Sequence, residues 1–308
     1  MGSKVLILLA THNRANLIIE TLISIKNQTY TDFECFVTDD NSVDETETVI
    51  NSFCIKDSRF HYFKKPKTYP KGLSATRNFG LDLGKKYKAD FIQFFDDDDI
   101  MHPKKLELQI APFLKDKQLD LTICKYRKFH DVNSIDFNLT TSDDGSCNIV
   151  SSDLLKSFFL KKINLNSLGP LWRAHKITKY RFNESLDYAE EREFYLKVFL
   201  KENINYNAVE YVLFWYRKHE KAITSNFYAD ENIKTDSEEK FQNDFLLYVL
   251  QQKRPPLYIL RSYIKKSVIQ HQDSNLWSIR KHLFSRYFEP NSIKVLVYSY
   301  ILQFMRRM

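Results

Sequence analysis

The chain has 308 residues, 43% apolar and 15% aromatic, with a formal net charge of +7, enough for one large α/β domain and a smaller appended unit. Six glycines, eight prolines and the lack of any internal repeat exclude collagen-like, low-complexity and solenoid chains. Four scattered cysteines (Cys35, Cys54, Cys124, Cys147) have no C-x-x-C spacing, so the expectation is reduced thiols in a cytoplasmic protein rather than a zinc site or disulfide framework.

Val5 to Ala10 is too short for a signal-peptide core and runs directly into Thr11-His12-Asn13-Arg14, so it reads as a strand buried on both faces. Leu17, Ile18, Thr21, Leu22 and Ile25 recur at helical spacing and predict a helix ending near Asn27. Phe33–Val37 is a second strand; Asn41 or Ser42 is expected to cap the helix that follows. Arg59–Phe63 predicts a third strand, Ser74–Lys86 a helix and Phe91–Phe95 a fourth strand, which feeds into Asp96-Asp97-Asp98-Asp99. Pro103 opens a further helix through Phe113, Asp120–Phe129 reads as a strand, and helical pattern returns at Ser152–Lys161 and Glu190–Lys201.

Alternation of strand and helix predicts an α/β fold, a doubly wound and largely parallel sheet flanked by helices, over residues 1–229. A helical C-terminal extension is expected over 230–308. In such sheets ligands bind beyond the carboxyl ends of the strands. The polar clusters at Thr11–Arg14, Asp39–Ser42 and Asp96–Asp99 each stand at such an end.

Four adjacent carboxylates raise one another's pKa unless a cation offsets them. A hard divalent ion, Mn²⁺ or Mg²⁺, suits such oxygens and keeps sites for water and phosphate. The competing reading is a solvated acidic turn, which the preceding apolar strand Phe91-Ile92-Gln93-Phe94-Phe95 disfavours.

Asp96-x-Asp98-Asp99-x-x-x-Pro103 resembles the D-x-D-D-x-x-x-P signature of family 2 glycosyltransferases of GT-A fold. Five further segments resemble motifs of that family in the same order: Ala10-Thr11-His12-Asn13-Arg14, Asp39-Asp40-Asn41-Ser42, Gly72 to Gly80, Arg181 to Leu186 with Glu190-Glu191, and Tyr216-Arg217-Lys218-His219. The resemblance implies an inverting transfer of a sugar from a nucleotide-sugar donor, with UDP-sugars first among the candidates. The implied acceptor is a hydroxyl of a glycan or lipid-linked glycan in bacterial surface polysaccharide synthesis.

By the same resemblance Asp40 binds the base, with Ala10, Thr11, His12 and Arg14 lining the nucleotide. Arg77 sits near base or phosphates, or pairs structurally with the aspartates. Asp96 and Asp97 reach ribose or metal, Asp98 is the direct metal ligand, and His219 is a second ligand or phosphate contact. Glu191 falls where the family has the Asp of an E-D pair and is the implied general base. Glu190 and Trp172 are expected on the acceptor side, with a core indole as the alternative for Trp172. The rival functions are a sugar-nucleotide pyrophosphorylase, which would carry a Gly-rich phosphate loop after the first strand, and a non-catalytic nucleotide-sugar or glycan-binding module.

From Lys253 onward 11 Lys/Arg face two acids, Asp273 and Glu289, a balance of +9 that leaves −2 for residues 1–252. Basic, aromatic-rich helices of this kind suit either a peripheral contact with the inner face of the plasma membrane or a homo-oligomer contact. Nucleic acid is not expected, because no base-reading element accompanies the charge.

Overall fold

The computed structural model describes residues 4–141, 147–218, 231–286 and 290–307, and the chain divides into two compact units, 1–237 and 238–308. The first unit is built on one eight-stranded sheet. Its strands are β1 (Val5–Thr11), β2 (Phe33–Asp39), β3 (Phe60–Lys64), β4 (Phe91–Asp96), β5 (Ile100–Met101), β6 (Leu121–Phe129), β7 (Pro170–Arg173) and β8 (Tyr206–Arg217). They lie in the order β3-β2-β1-β4-β7-β6-β8-β5.

The first four neighbours are parallel, as the alternating pattern demands. Beyond β4 the sheet is mixed: β7 runs antiparallel to both β4 and β6, β8 parallel to β6, and β5 antiparallel to β8. Strand β7 is not among the strands expected from the sequence. Four residues are too few to show a period, and Gly169-Pro170 has the look of a turn.

Helices α1 (Ile18–Lys26), α2 (Thr46–Lys56), α3 (Leu73–Lys86) and α4 (Lys105–Lys115) connect the parallel strands and their neighbours. Neither Ser42 nor Asn41 caps α2. The cap position is Glu45, which makes no capping bond; Asp44 just before it accepts both the backbone N–H (3.0 Å) and the hydroxyl (2.5 Å) of Thr46, while Ser42 turns to Asp39. Pro103 precedes α4 by two residues rather than opening it.

Every residue of β1 is buried, which explains its unbroken apolar run. On one face Val5, Ile7 and Leu9 join Ile18, Leu22 and Ile25 of α1 in the main core. On the other, α3 closes onto the sheet through Gly84, where an added Cβ would stand 2.9 Å from Ile92 Cδ1. Short helices α5 (Leu154–Phe159) and α6 (Ala174–Ile177), and the longer α7 (Glu190–Lys201), complete the unit.

The second unit is helical: α8 (Glu231–Leu250), whose first residues precede the division, α9 (Leu257–Ile269), α10 (Asp273–Arg286) and α11 (Pro290–Arg307). Arg280 of α10 ties α11 by donating to Ser299 Oγ (2.9 Å) and Gln303 Oε1 (2.8 Å), with its guanidinium 3.8 Å from the Tyr300 ring centroid. Among the described residues no helix is long and apolar enough to cross a membrane.

Candidate active site

Parallel pairing sets Thr11 opposite Asp39 and Ala10 opposite Asp96, so the carboxyl ends of β2, β1 and β4 form one row. The loops leaving that row are stitched together. Asn13, at φ +52, donates its backbone N–H to Ser42 Oγ (2.8 Å) and accepts from Val43 N–H at Oδ1 (2.8 Å). Arg14 N–H is held by Thr46 Oγ1 at 2.9 Å. These bonds order the segment that follows the buried Ala10 and Thr11 and leaves His12 exposed beside Asn13.

The two aspartates ending β2 divide their work. Asp39 is fully buried and accepts from the Ser42 backbone and hydroxyl and from Tyr62 Oη at 2.7 Å. Burial, and then Asp39, raise the Tyr62 phenol and keep it a donor. Asp40 instead borders the crevice: Oδ2 accepts Gly72 N–H at 2.7 Å and Oδ1 pairs with Lys65 Nζ at 2.6 Å. Gly72, at φ +114, adopts a backbone that side-chain-bearing residues rarely take, and this brings its N–H to Asp40 at the start of α3. Lys65, 1% exposed, donates in turn to Pro70 O (2.7 Å) and Thr76 Oγ1 (3.1 Å). Lys65 escapes a reading of sequence because nothing local marks it as buried.

Arg77, buried on α3, is the hub between the aspartate run and α7. One terminal nitrogen donates to Glu190 Oε1 at 2.9 Å; the other donates to Asp96 Oδ1 and Ser167 Oγ, both at 2.9 Å. Next in line, Asn78 joins two segments about a hundred residues apart, donating to Phe182 O (3.0 Å) and Glu184 Oε1 (2.9 Å) and accepting Phe182 N–H (2.8 Å). The Gly72-to-Gly80 and Arg181-to-Leu186 motifs are thus halves of one contact.

Glu191 sits one residue into α7, whose entry at Ala189 is left-handed at φ +61. Its Oε2 accepts Ser167 N–H at 2.8 Å, and its carboxyl is pushed up to about 7 by burial and then by neighbouring Glu190. Ser167, which no motif marked, therefore orients both Arg77 and Glu191. Glu191 lines a cleft of about 370 Å³. Lys128, Lys161 and Arg192 line the same cleft, as does Tyr126. Glu190, expected on the acceptor side, is turned onto Arg77 at 2.9 Å.

Trp172 is corrected as well. On β7 it is 0% exposed and stacks on Tyr195 (5.6 Å) and Phe199 (5.9 Å) of α7, so no face is left for a sugar. The core alternative holds.

In the aspartate run, Asp96 and Asp98 keep accessible side chains, Asp97 is nearly buried and Asp99 wholly so. Asp99 Oδ1 accepts Arg217 N–H at 2.6 Å, and Arg217 Nε donates to Asp98 O at 2.6 Å, so β8 straps the turn into place. Arg14 approaches Asp97 and Asp98 at 3.5 and 3.9 Å, too far for close hydrogen bonds. Burial, with Asp98 next, lifts Asp97 to about 8, and burial with the same neighbour lifts Asp99 well above the usual carboxylate range. Asp99 Oδ2 is buried with no hydrogen-bond partner among the described residues.

Crowded, desolvated carboxylates whose protons are hard to remove are a donor set that a hard divalent cation fits. The described residues alone contain no group of three or more His, Cys, Asp or Glu arranged to hold one. His219 lies outside the described residues.

Residues 6–166, just over half of the chain, match the family model described as Glycosyl transferase family 2. A Campylobacter jejuni protein named GalNAc(5)-diNAcBac-PP-undecaprenol beta-1,3-glucosyltransferase is 36% identical over 96 residues, 31% of this chain and 30% of that protein. An uncharacterized glycosyltransferase of Rickettsia bellii is 33% identical over 126 residues, 41% of this chain and 17% of that protein, so the match spans well under half the length of either relative.

Among solved structures, S. aureus TarS 1-349 in complex with UDP-GlcNAc superposes with a TM-score of 0.64 at 16% identity, over 99% of this chain and 89% of that one. The mannosyltransferase PcManGT from Pyrobaculum calidifontis, in complex with GDP-Man and Mn²⁺, gives 0.54 at 11% identity, over 99% and 84%. These likenesses carry the GT-A fold. With the family match over just over half its length, the chain belongs to glycosyl transferase family 2.

Proposed function

We propose that this glycosyltransferase moves a sugar from a nucleotide-sugar donor, UDP-linked by first expectation, to a hydroxyl of a glycan or lipid-linked glycan in surface polysaccharide synthesis, with inversion at the anomeric carbon. The observation that carries this reading is the bridge Asp96–Arg77–Glu190, which sets the aspartate run on one side of Arg77 and Glu191 on the other. Asp40 accepts from the base, and Ala10, Thr11, His12 and Arg14 border base and ribose. Asp98, with Asp96 and Asp97 in support, would hold Mn²⁺ or Mg²⁺. Such an ion, when bound, stabilises negative charge developing on the diphosphate.

Glu191 removes the acceptor proton as the acceptor oxygen forms its bond to the anomeric carbon. The bond from that carbon to the diphosphate oxygen breaks, and its electron pair leaves with the nucleoside diphosphate. One displacement of this kind inverts the centre. The names of two similar proteins support the substrate classes: an undecaprenol-linked acceptor for the Campylobacter relative and UDP-GlcNAc bound to TarS. Mn²⁺ with PcManGT supports the metal. A pyrophosphorylase is disfavoured because Thr11-His12-Asn13-Arg14 replaces a Gly-rich phosphate loop.

The test is a screen of UDP-, GDP- and dTDP-sugars for hydrolysis and transfer with Mn²⁺, Mg²⁺ and chelator. Turnover of a UDP-sugar that stops on chelation is expected. Donor binding with no turnover under any condition would instead identify a non-catalytic binding module.

The C-terminal unit fits a peripheral contact with an anionic leaflet. On α10, Trp277 (62% exposed) and Phe284 (69%) flank Lys281 on one face, and α11 exposes Val297, Tyr300, Ile301 and Phe304. Apolar residues framed by the unit's positive charge match acyl chains beneath acidic headgroups. Co-sedimentation with phosphatidylglycerol vesicles but not phosphatidylcholine vesicles is expected. Concentration-dependent self-association without vesicle binding would assign the face to a second copy.

A further inference from the structure

The cleft beside Glu191 has a charge that sugar transfer to a neutral hydroxyl does not require. Of its lining residues Glu191 is the one acid, against Lys128, Lys161 and Arg192. Both lysines are exposed, and Lys128 lies close enough to Lys218 to lower the pKa of that ammonium further, after burial. Arg192 is braced from behind, donating to Phe159 O at 3.0 Å. Asn164 and Asn166 add amides to the same wall.

The backbone fixes the position of Lys161. Lys161 follows α5 at φ +56, with its N–H bonded to Phe158 O (3.1 Å) and Lys162 N–H bonded to Ser157 O (2.8 Å). That pair of bonds is a Schellman closure, whose left-handed position is ordinarily glycine. Here it carries a lysine that lines the cleft; Lys88, at φ +52, closes α3 by the same pair of bonds, so the turn fixes where Lys161 stands without setting it apart. On the far wall Lys128 comes from β6, one pleat beyond Tyr126, so the cations converge from separate elements.

We propose that this cleft receives an anionic acceptor, a glycan bearing a carboxylate or a phosphodiester, with Lys128 and Lys161 reading its charge and Arg192 behind them. The inference rests on the reading of Glu191 as the base, because that residue makes the cleft the acceptor side. Placed beside a base, cations also offset the repulsion between Glu191 and an anionic substrate.

Three probes test it by equilibrium binding to the full chain: a tetrasaccharide of alternating glucuronate and N-acetylglucosamine, the same compound with its carboxyls reduced to alcohols, and a glycerol phosphodiester tetramer. At least one anionic probe is expected to bind about tenfold tighter than the neutral compound, an advantage that shrinks as salt is raised. Lys128→Gln with Lys161→Gln should remove most of that advantage without changing binding of the neutral probe. Preference for the uronate or for the phosphodiester identifies the source of the charge.

Equal binding of charged and neutral probes, or an unchanged preference in the double variant, overturns the proposal. So does a loss of nucleotide-sugar binding in that variant, which would assign the lysines to the donor. Glu191→Gln keeps the two readings separable. It should bind the anionic probe at least as tightly as the parent while failing to transfer. Transfer by that variant would remove the base assignment and leave the anion result standing.

Discussion

The two sides of the site have opposite electrostatics. Along the ends of β2, β1 and β4 the protein gathers Asp40, Asp96, Asp97, Asp98 and Asp99, and answers them with Lys65, Arg77 and a distant Arg14. Across Arg77, the cleft at Glu191 gathers Lys128, Lys161 and Arg192 around one acid. The proposed donor side is thus rich in carboxylates and the proposed acceptor side rich in cations. On the proposed reading each substrate would keep to its own side: a donor diphosphate would need a divalent ion to approach the aspartates, whereas an anionic acceptor would be drawn to the cleft without one.

The largest effect expected on this contrast comes from Asp98→Ala. Removing the accessible carboxylate of the run should lower transfer by about 10³-fold and weaken donor binding in the presence of Mn²⁺, while nucleotide binding in chelator changes little. Isothermal titration with and without metal measures it. Transfer that survives Asp98→Ala at parental rate would break the donor half of the comparison.

Glu191→Gln follows, with transfer reduced by about 10²- to 10⁴-fold and donor affinity retained. The parent's dependence on pH has a definite sign. As the proposed base Glu191 would act as a carboxylate; with its pKa raised to about 7, activity should rise with pH through that value and level off above it. Glu190 raises Glu191 by like charge, whereas Arg77 opposes it. Glu190→Gln removes the first and loosens the claim on the second, so the midpoint should move to lower pH. A midpoint that moves upward would contradict the stated cause.

The row of polar clusters at the strand ends was largely legible because it is local. Each strand of the parallel half hands its polar cluster directly to the crevice, so placing the strands placed Asp40, Asp96 and Asp98. Arg77 and Glu191 came from resemblance, but their junction did not: Ser167, which touches both, stands in an unpatterned segment. The acceptor side is assembled from β6, the turn after α5 and the start of α7, and no short window of sequence contains it. Buried polar groups were equally hidden. Lys105 reads as a surface lysine, yet it is 0% exposed and donates to Gln93 Oε1 at 2.6 Å, its pKa pushed down to about 8 by burial. Pairing across β4 and β7, not local pattern, decides such positions.

Trp172 separates fold from function on the acceptor side. The indole packs against Tyr195 and Phe199 on α7, the helix that carries Glu191, so it supports the cleft without entering it. Trp172→Ala should cost about 3–5 kcal/mol of stability through the cavity it leaves. Trp172→Phe, which keeps most of the ring, should cost less and leave the acceptor KM near the parental value. Thermal denaturation and kinetics on the two variants measure both. A residue that stacked on the acceptor sugar would show the reverse: little change in unfolding temperature and a large rise in KM. The smallest expected change in catalysis therefore accompanies the largest in stability, because the side chain lies beneath the charged surface that the two substrates meet.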